Sequence, residues 1–259
     1  NIFIIFAADN QIIKKMQEYI SRNIDKELIA WKDDSMRKPL LLRGARQVGK
    51  SSAVRHFGKE FKYFAEVNFE RHKAIKTFFQ GDIDVHMITQ KISNYIKVPM
   101  IAGKTLLFFD EIQECPEAIM ALRFFKEEYP ELHVIAAGSL LEFTLEELPT
   151  FGVGRIHSLF MYPMTFDEFL VANNEEGLIS MRNESDSQHP LDTAFHEKLI
   201  EYFRIYLLVG GMPESVLAWI KTHDFNRCRN IQEDIILTYE DDFGKYKKRV
   251  NPDLLRTTM

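Results

Sequence analysis

A glycine-rich loop near the start of the chain has the residue types and the spacing that phosphate binding requires. Glycines let successive backbone N–H groups point at phosphate oxygens, and the helix that follows adds its positive end. A lysine at the end of such a loop reaches the β and γ phosphates, and the hydroxyl group after it binds Mg²⁺. The loop fits the pattern G-x-x-x-x-G-K-[ST] and consists of Gly44, Ala45, Arg46, Gln47, Val48, Gly49, Lys50 and Ser51.

The surroundings of this loop favour a nucleotide site over a chance match. The apolar run "KPLLL" precedes the loop and is typical of a buried strand, and a helix is predicted to begin directly after the loop. Strand, loop and helix in this order are the context that the pattern needs. We therefore predict that residues 44–51 and the adjoining Ser52 bind a nucleotide, with Lys50 on the phosphates and Ser51 on the metal.

Two adjacent acids, Asp110 and Glu111, end the apolar run "LLFFDE". A carboxylate at the carboxyl end of a buried strand can reach Mg²⁺ at that edge of a sheet. The acid beside it can polarise an attacking water. A solvated turn is the alternative, but the glycine-rich loop upstream favours function. The sequence predicts Asp110 as a metal ligand and Glu111 as the residue that activates water.

Three further residues have both a functional and a structural interpretation. Ser139 follows the run "VIAAGS", where it could touch a γ-phosphate or the attacking water, or simply cap a helix. Arg155 begins a later strand and could stabilise charge on a transferring phosphoryl group, in the same chain or in a neighbour. Most arginines instead form surface or structural ion pairs. Pro213, in "GGMP", is well placed to start a helix after a corner.

The pattern of apolar runs predicts an α/β fold. Strands that are apolar throughout, separated by helical segments, indicate a parallel sheet covered on both faces. The fourth strand is expected between the first and the third. The five predicted strands lie in or around residues 38–44, 63–70, 104–111, 132–139 and 155–164.

A change in composition divides the chain after the fifth strand. Residues 171–190 are polar and are predicted to form a linker or a long surface loop. Residues 16–170 would form the nucleotide-binding core, and residues 191–259 read as helical throughout. Residues 1–15 are expected to be an extension, because the first methionine is Met16.

Composition and charge exclude several classes of protein. The 259 residues are 46% hydrophobic and carry a formal net charge of −5, which argues against a non-specific nucleic-acid binder. No apolar run is long enough to span a membrane. The only cysteines, Cys115 and Cys228, lie far apart, so a reducing, cytoplasmic compartment is expected. The histidines show no metal-binding pattern.

Five segments together resemble a known family. They are "RKPLLLRGARQVGKSS", "LLFFDEIQECPEA", "VIAAGSLLEF", "GVGRIHSLFMYPMTFDEFL" and "YLLVGGMPESV". The chain, from about Ile20 to its end, resembles the AAA-type predicted ATPases of bacteria and archaea that carry a C-terminal domain of unknown function. These belong to the wider group of AAA+ and signal-transduction P-loop NTPases.

The resemblance implies a three-layer P-loop NTPase core with a five-stranded parallel sheet, followed by a helical, winged-helix-like lid. It implies ATP and Mg²⁺ as ligands, Ser139 at the sensor position and Pro213 against the adenine. An ATPase is therefore expected, and a nucleotide-gated switch that turns over slowly is the alternative. Expected partners are DNA or a protein, bound through the lid or through a missing C-terminal region, and further copies of the chain. No second-sensor arginine is evident in the lid, and a C-terminal truncation is expected because family members usually continue further.

Overall fold

The centre of the protein is a parallel sheet. The computed structural model describes residues 19–139, 141 and 154–245. Within these residues the sheet has five strands in the order β2-β3-β4-β1-β5, and all pairs are parallel. As predicted, β4 lies between β3 and β1. The strands are β1 (Leu40–Arg43), β2 (Tyr63–Asn68), β3 (Thr105–Asp110), β4 (His133–Ala137) and β5 (His157–Phe160).

Helices cover both faces of the sheet and continue beyond its last strand. Short 3₁₀ turns at Gly58–Glu60, Lys73–Phe79 and Ile112–Glu114 supplement them. The helices of the core are α1 (Ile24–Asp33), α2 (Lys50–Phe57), α3 (Val85–Ile96) and α4 (Pro116–Glu128). The later helices are α5 (Phe166–Ala172), α6 (Glu176–Glu184), α7 (Thr193–Val209), α8 (Pro213–Thr222) and α9 (Phe225–Lys245). None of these helices combines the length and the apolarity needed to cross a membrane.

The central strands are apolar throughout because each contributes to two cores. In β3, Leu107 and Phe109 pack into a cluster with helices α3 and α4. Their neighbours Leu106 and Phe108 pack into the opposite cluster with helices α1 and α2. Successive side chains of a strand point to opposite faces, so a sheet that is covered on both faces needs apolar residues at every position.

The helices after the sheet share a smaller core. Phe169, Val209, Val216 and Trp219 are buried together in it, next to Met164 from the connection between β5 and α5. This packing joins the lid, which we define as helices α7 to α9, to α5 at the end of the sheet.

Residues 171–190 are not a linker or surface loop throughout, because α5 ends and α6 lies within this stretch. The polar composition that suggested a loop belongs to the exposed side of α6. Leu178 is the one residue of α6 that is buried, and it packs with Leu170 and Leu199. One buried residue is too little to give a helical pattern in the sequence. The domain boundaries predicted around this stretch stay predictions.

Candidate functional site

The glycine-rich loop connects the carboxyl end of β1 to the first turn of α2. Gly44 and Gly49 have φ angles of 137° and 99°, in the region that glycine adopts without strain. Gln47 also has a positive φ, of 62°. A Cβ at Gly44 would lie 2.1 Å from the carbonyl oxygen of Met161, so the loop passes too close to the β5 connection for any side chain. The backbone therefore curls as the sequence predicted.

Lys50 is buried at the start of α2 and its ammonium group is directed back into the loop. Its Nζ donates hydrogen bonds of 2.7 Å to the carbonyl oxygens of Gly44 and of Ala45. The side chain is thus held over the loop without a ligand. Phosphate oxygens placed there would meet an ammonium group and the positive end of a helix.

Ser51 and Asp110 face each other across the junction of α2 and β3. The Ser51 hydroxyl donates to Oδ1 of Asp110 over 2.8 Å. Burial raises the pKa of the Asp110 carboxyl above its ordinary value, and the hydrogen bond from Ser51 opposes part of that effect. A cation bound there would favour the ionised carboxylate. The two residues assigned to the metal from sequence are thus neighbours in the structure.

Other side chains orient Asp110, and none of them was predicted from the sequence. Asn68, the last residue of β2, donates from Nδ2 to Oδ2 of Asp110 over 3.1 Å. Arg55 on α2 lies 3.5 Å from the same oxygen and forms a two-pronged ion pair with Glu66. Because these residues come from different elements, only their positions at one sheet edge bring them together.

Glu111 follows Asp110 in the left-handed backbone conformation, with a φ of 50°. Its Oε2 accepts a hydrogen bond of 2.7 Å from Nε2 of Gln113. A non-glycine residue in this conformation is uncommon and is found in turns and at functional sites. The turn separates Glu111 from the strand that carries Asp110.

Most of the site residues predicted from the sequence line a cavity of about 360 Å³. Its volume lies in the range of about 300–1,000 Å³ that small-molecule sites occupy. The cavity is lined by the predicted residues Arg46, Gln47, Gly49, Lys50, Ser51, Ser52, Asp110, Glu111, Ser139 and Pro213. Gly44, Ala45 and Val48 are not among the lining residues, and the carbonyl oxygens of Gly44 and Ala45 accept the hydrogen bonds of Lys50. The carbonyl oxygen of Val48 accepts from Arg22, as described below.

Pro213 brings the lid to the glycine-rich loop. A Cβ built at Gly49 would lie 3.6 Å from Cγ of Pro213, so the two residues are in near contact. Tyr239 on α9 donates from its hydroxyl to the carbonyl oxygen of Arg46 over 2.9 Å. Two lid helices thus contact the loop, at its start and at its end.

Arg155 lies at the end of the sheet where β1 and β5 begin, opposite to the glycine-rich loop. The parallel register pairs His157 with Leu40 and Phe160 with Arg43, so the start of β5 is level with the start of β1. Arg155 precedes that start and pairs with Glu127, near the end of α4. The prediction that it stands at the nucleotide edge of its own chain is therefore wrong. Because β5 runs parallel to β1, the residue that precedes β5 lies away from the loop that follows β1.

Arg22 is a buried residue of the site that sequence reasoning missed. Its guanidinium donates to the carbonyl oxygens of Val48 and Tyr162 and forms an ion pair with Glu168. Arg22 lines the cavity, together with Tyr19 and Ile20. Nothing around position 22 marks it, because its partner Glu168 lies 146 residues away.

The residues present fit a nucleoside triphosphate with Mg²⁺. Ser51 and Asp110 offer only oxygen ligands, which Mg²⁺ prefers, and it commonly uses one or two carboxylates together with substrate phosphates. The described residues include no cluster of three or more His, Cys, Asp or Glu side chains that could hold a metal ion. The glycine-rich loop at the start of α2 and Lys50 match the phosphates.

Comparison with known proteins supports a nucleotide-binding protein. A family model described as an AAA domain matches residues 36–170, and a second, described as a domain of unknown function (DUF8612), matches residues 200–259. No curated protein sequence matches the chain.

Solved structures resemble the chain as well. The Walker-type ATPase PABY2304 of Pyrococcus abyssi is 18% identical with a TM-score of 0.53, over 90% of this chain and 77% of that one. The Drosophila ORC bound to DNA is 13% identical with a TM-score of 0.46, over 82% of this chain and 66% of that one. At these identities, the likeness to the Pyrococcus protein is one of fold.

The parallel sheet, the glycine-rich loop and the match to the AAA domain model define the class of protein as a P-loop NTPase with a helical C-terminal region. Because the AAA domain model matches more than half of its residues, the chain belongs to the AAA domain family.

Proposed function

We propose that this chain is a Mg²⁺-dependent ATPase that couples its nucleotide state to movement of the lid. One observation carries the proposal. The hydrogen bond of 2.8 Å between Ser51 and Asp110 brings together, from two separate motifs, the two oxygen ligands that such a metal needs. Lys50 and Glu111 line the same cavity.

Each residue has a distinct role in the proposed reaction. Lys50 and the backbone of residues 44–52 bind the phosphates, while Ser51 and Asp110 hold Mg²⁺, which supplies charge neutralisation on the phosphate oxygens. Glu111 accepts a proton from the water that attacks the γ-phosphorus. The bond from that phosphorus to the bridging β-phosphate oxygen breaks, and ADP and phosphate result. Ser139 is suited to contact the γ-phosphate or the attacking water, and Pro213 to pack on the base.

A nucleotide-gated switch is a second candidate, favoured by the contacts of the lid. Tyr239 and Pro213 both touch the glycine-rich loop, so a nucleotide that reshapes the loop would displace the lid. In this version the chain binds nucleotide, hydrolyses it negligibly and controls a partner. A DNA or protein partner and assembly with further copies stay predictions.

The decisive experiment measures phosphate release from Mg·ATP alongside nucleotide binding. We expect Glu111→Gln to lower kcat by about 10²- to 10⁴-fold with little change in ATP affinity, since a general base typically contributes that much. Lys50→Ala should weaken ATP binding. Glu114→Gln is the matched control, because Glu114 is a neighbouring carboxylate that pairs with Lys76 at the surface.

The outcomes separate the candidates. Full activity in Glu111→Gln would refute the role of Glu111, and unchanged ATP affinity in Lys50→Ala would refute the assignment of the loop. If wild type binds ATP without releasing phosphate, the chain is a switch and not an ATPase.

A further inference from the structure

Gln113 lies beside Glu111 in the short 3₁₀ turn that follows β3. Its Nε2 donates to Oε2 of Glu111 over 2.7 Å. The amide nitrogen is the only part of this side chain that can donate to a carboxylate. Gln113 therefore holds one carboxylate oxygen of Glu111, the residue to which we assign the activation of water.

The other end of the Gln113 amide is buried against β4. Its Oε1 has no hydrogen-bond partner among the described residues. A Cβ at Gly138 would lie 2.2 Å from this oxygen, so the amide occupies space that only a glycine leaves open. A buried acceptor without a partner is costly and calls for an explanation.

The contact with Gly138 connects Glu111 to the sensor position. Gly138 immediately precedes Ser139, and both residues line the cavity. The amide of Gln113 is thus packed between the end of β4 and the carboxylate of Glu111. Glu111 itself stands in a turn with a positive φ.

We propose that Gln113 is the positioning residue for Glu111, with its amide held against Gly138 so that the Glu111 carboxylate faces the attacking water. The inference rests on the proposed ATPase function. Gln113 does not line the cavity, and it acts only through Glu111.

The test replaces the amide by a side chain of similar length that cannot donate a hydrogen bond. We expect Gln113→Met to lower kcat by about 10- to 100-fold, the range expected for the loss of one hydrogen bond to a charged group. The Kd for ATP should stay within about twofold, because Gln113 does not touch the nucleotide cavity. Gln80→Met, at an exposed glutamine, is the control.

A double-mutant cycle separates positioning from a general structural effect. If Gln113 acts through Glu111, adding Gln113→Met to Glu111→Gln should lower the residual kcat no further. Equal kcat in wild type and Gln113→Met, or an additional loss of the same size in the double variant, would overturn the inference while leaving the ATPase proposal intact.

A measurement without turnover keeps the inference testable if the chain does not hydrolyse ATP. The side-chain amide protons of Gln113, assigned in NMR spectra by their loss in Gln113→Met, should exchange slowly with solvent. Glu111→Ala should shift these resonances and speed their exchange. Resonances that do not respond to Glu111→Ala would refute the contact, and with it the positioning role.

Discussion

His133 begins β4, at the edge of the sheet opposite to the nucleotide cavity, and is buried among aromatic rings. Its imidazole meets Trp31 and Phe61 edge-on, with ring centroids 5.7 Å and 4.9 Å away. Its Nδ1 has no hydrogen-bond partner among the described residues. Burial, and to a smaller extent the nearby charge of Arg37, lower the pKa of His133 to about 4. The fold thus keeps this histidine neutral well below the ordinary histidine pKa of about 6.5.

This predicts a loss of stability in acid that His133→Phe removes. Between pH values of about 6.5 and 4 the unfolded chain binds a proton that the folded chain rejects, so the free energy of unfolding falls as the pH decreases. We expect His133 to contribute about 1 to 2 kcal/mol of that decrease between about pH 7.5 and pH 5. Urea unfolding at the two pH values measures it, with His196→Phe, at an exposed histidine, as control. An equal decrease in wild type and His133→Phe would contradict the prediction.

At the scale of elements, the corner between α7 and α8 sets the distance between the lid and the sheet. A Cβ at Gly211 would lie 2.3 Å from the carbonyl oxygen of Met164, in the connection between β5 and α5. The amide of Met164 in turn donates to the carbonyl oxygen of Gly211 over 2.6 Å. Pro213, two residues later, is placed against Gly49 by this contact.

Gly211→Ala should therefore separate α8 from the sheet. We expect the free energy of unfolding to fall by roughly 1–3 kcal/mol, as in other overpacked sites, because two backbone segments must move apart. The affinity for ATP should fall as well, since Pro213 would be displaced from the loop. Gly177→Ala is the control: no atom lies within 4 Å of the new Cβ in α6. An alanine there should be neutral or stabilise the helix by about 0.5–1 kcal/mol. Equal effects of both substitutions would contradict the argument.

The elements that the sequence predicted well are those whose signal is local. The strand Leu40–Arg43 belongs to an apolar run, and the loop from Gly44 to Ser51 follows a fixed order of residue types. Each signal can be recognised in a single stretch of sequence. Helix α6 was not predicted, because it lacks such a local signal. Its one buried residue, Leu178, provides no period, and its position depends on partners in other helices.

At the scale of the whole molecule, one ion pair joins four segments. Arg22, before α1, contacts Val48 in the glycine-rich loop, Tyr162 after β5, and Glu168 in α5. Oε2 of Glu168 also accepts from the amide of Thr165, which completes the cap of α5. Such a hub is invisible in a sequence, because each member becomes a partner only once the fold has assembled. Arg155 is the opposite case. Its neighbours in the sequence suggested that it belongs to the nucleotide site, but the direction of β5 places it away from that site.

Glu168→Gln tests whether this hub holds the molecule together. An amide nitrogen would face either the guanidinium of Arg22 or the amide of Thr165, so a donor would meet a donor and Arg22 would be left buried without a counter-charge. The side chains of Arg22 and Glu168 are only 5% and 6% exposed, and breaking a buried pair on one side typically costs about 3–5 kcal/mol. We expect a loss of about 3 kcal/mol in the free energy of unfolding, because Gln retains one acceptor oxygen.

The neighbouring pair between Asp167 and Arg182 provides the matched control. Its side chains are 43% and 37% exposed, so Asp167→Asn should cost less than about 1 kcal/mol although its hydrogen bonds are equally short. Urea unfolding should follow α2, beside the glycine-rich loop, and the lid separately, through a probe in each. If Arg22 couples them, Glu168→Gln lowers both transitions together. A variant in which only the lid loses stability would show that the hub serves α5 alone and that the glycine-rich loop is held by the sheet.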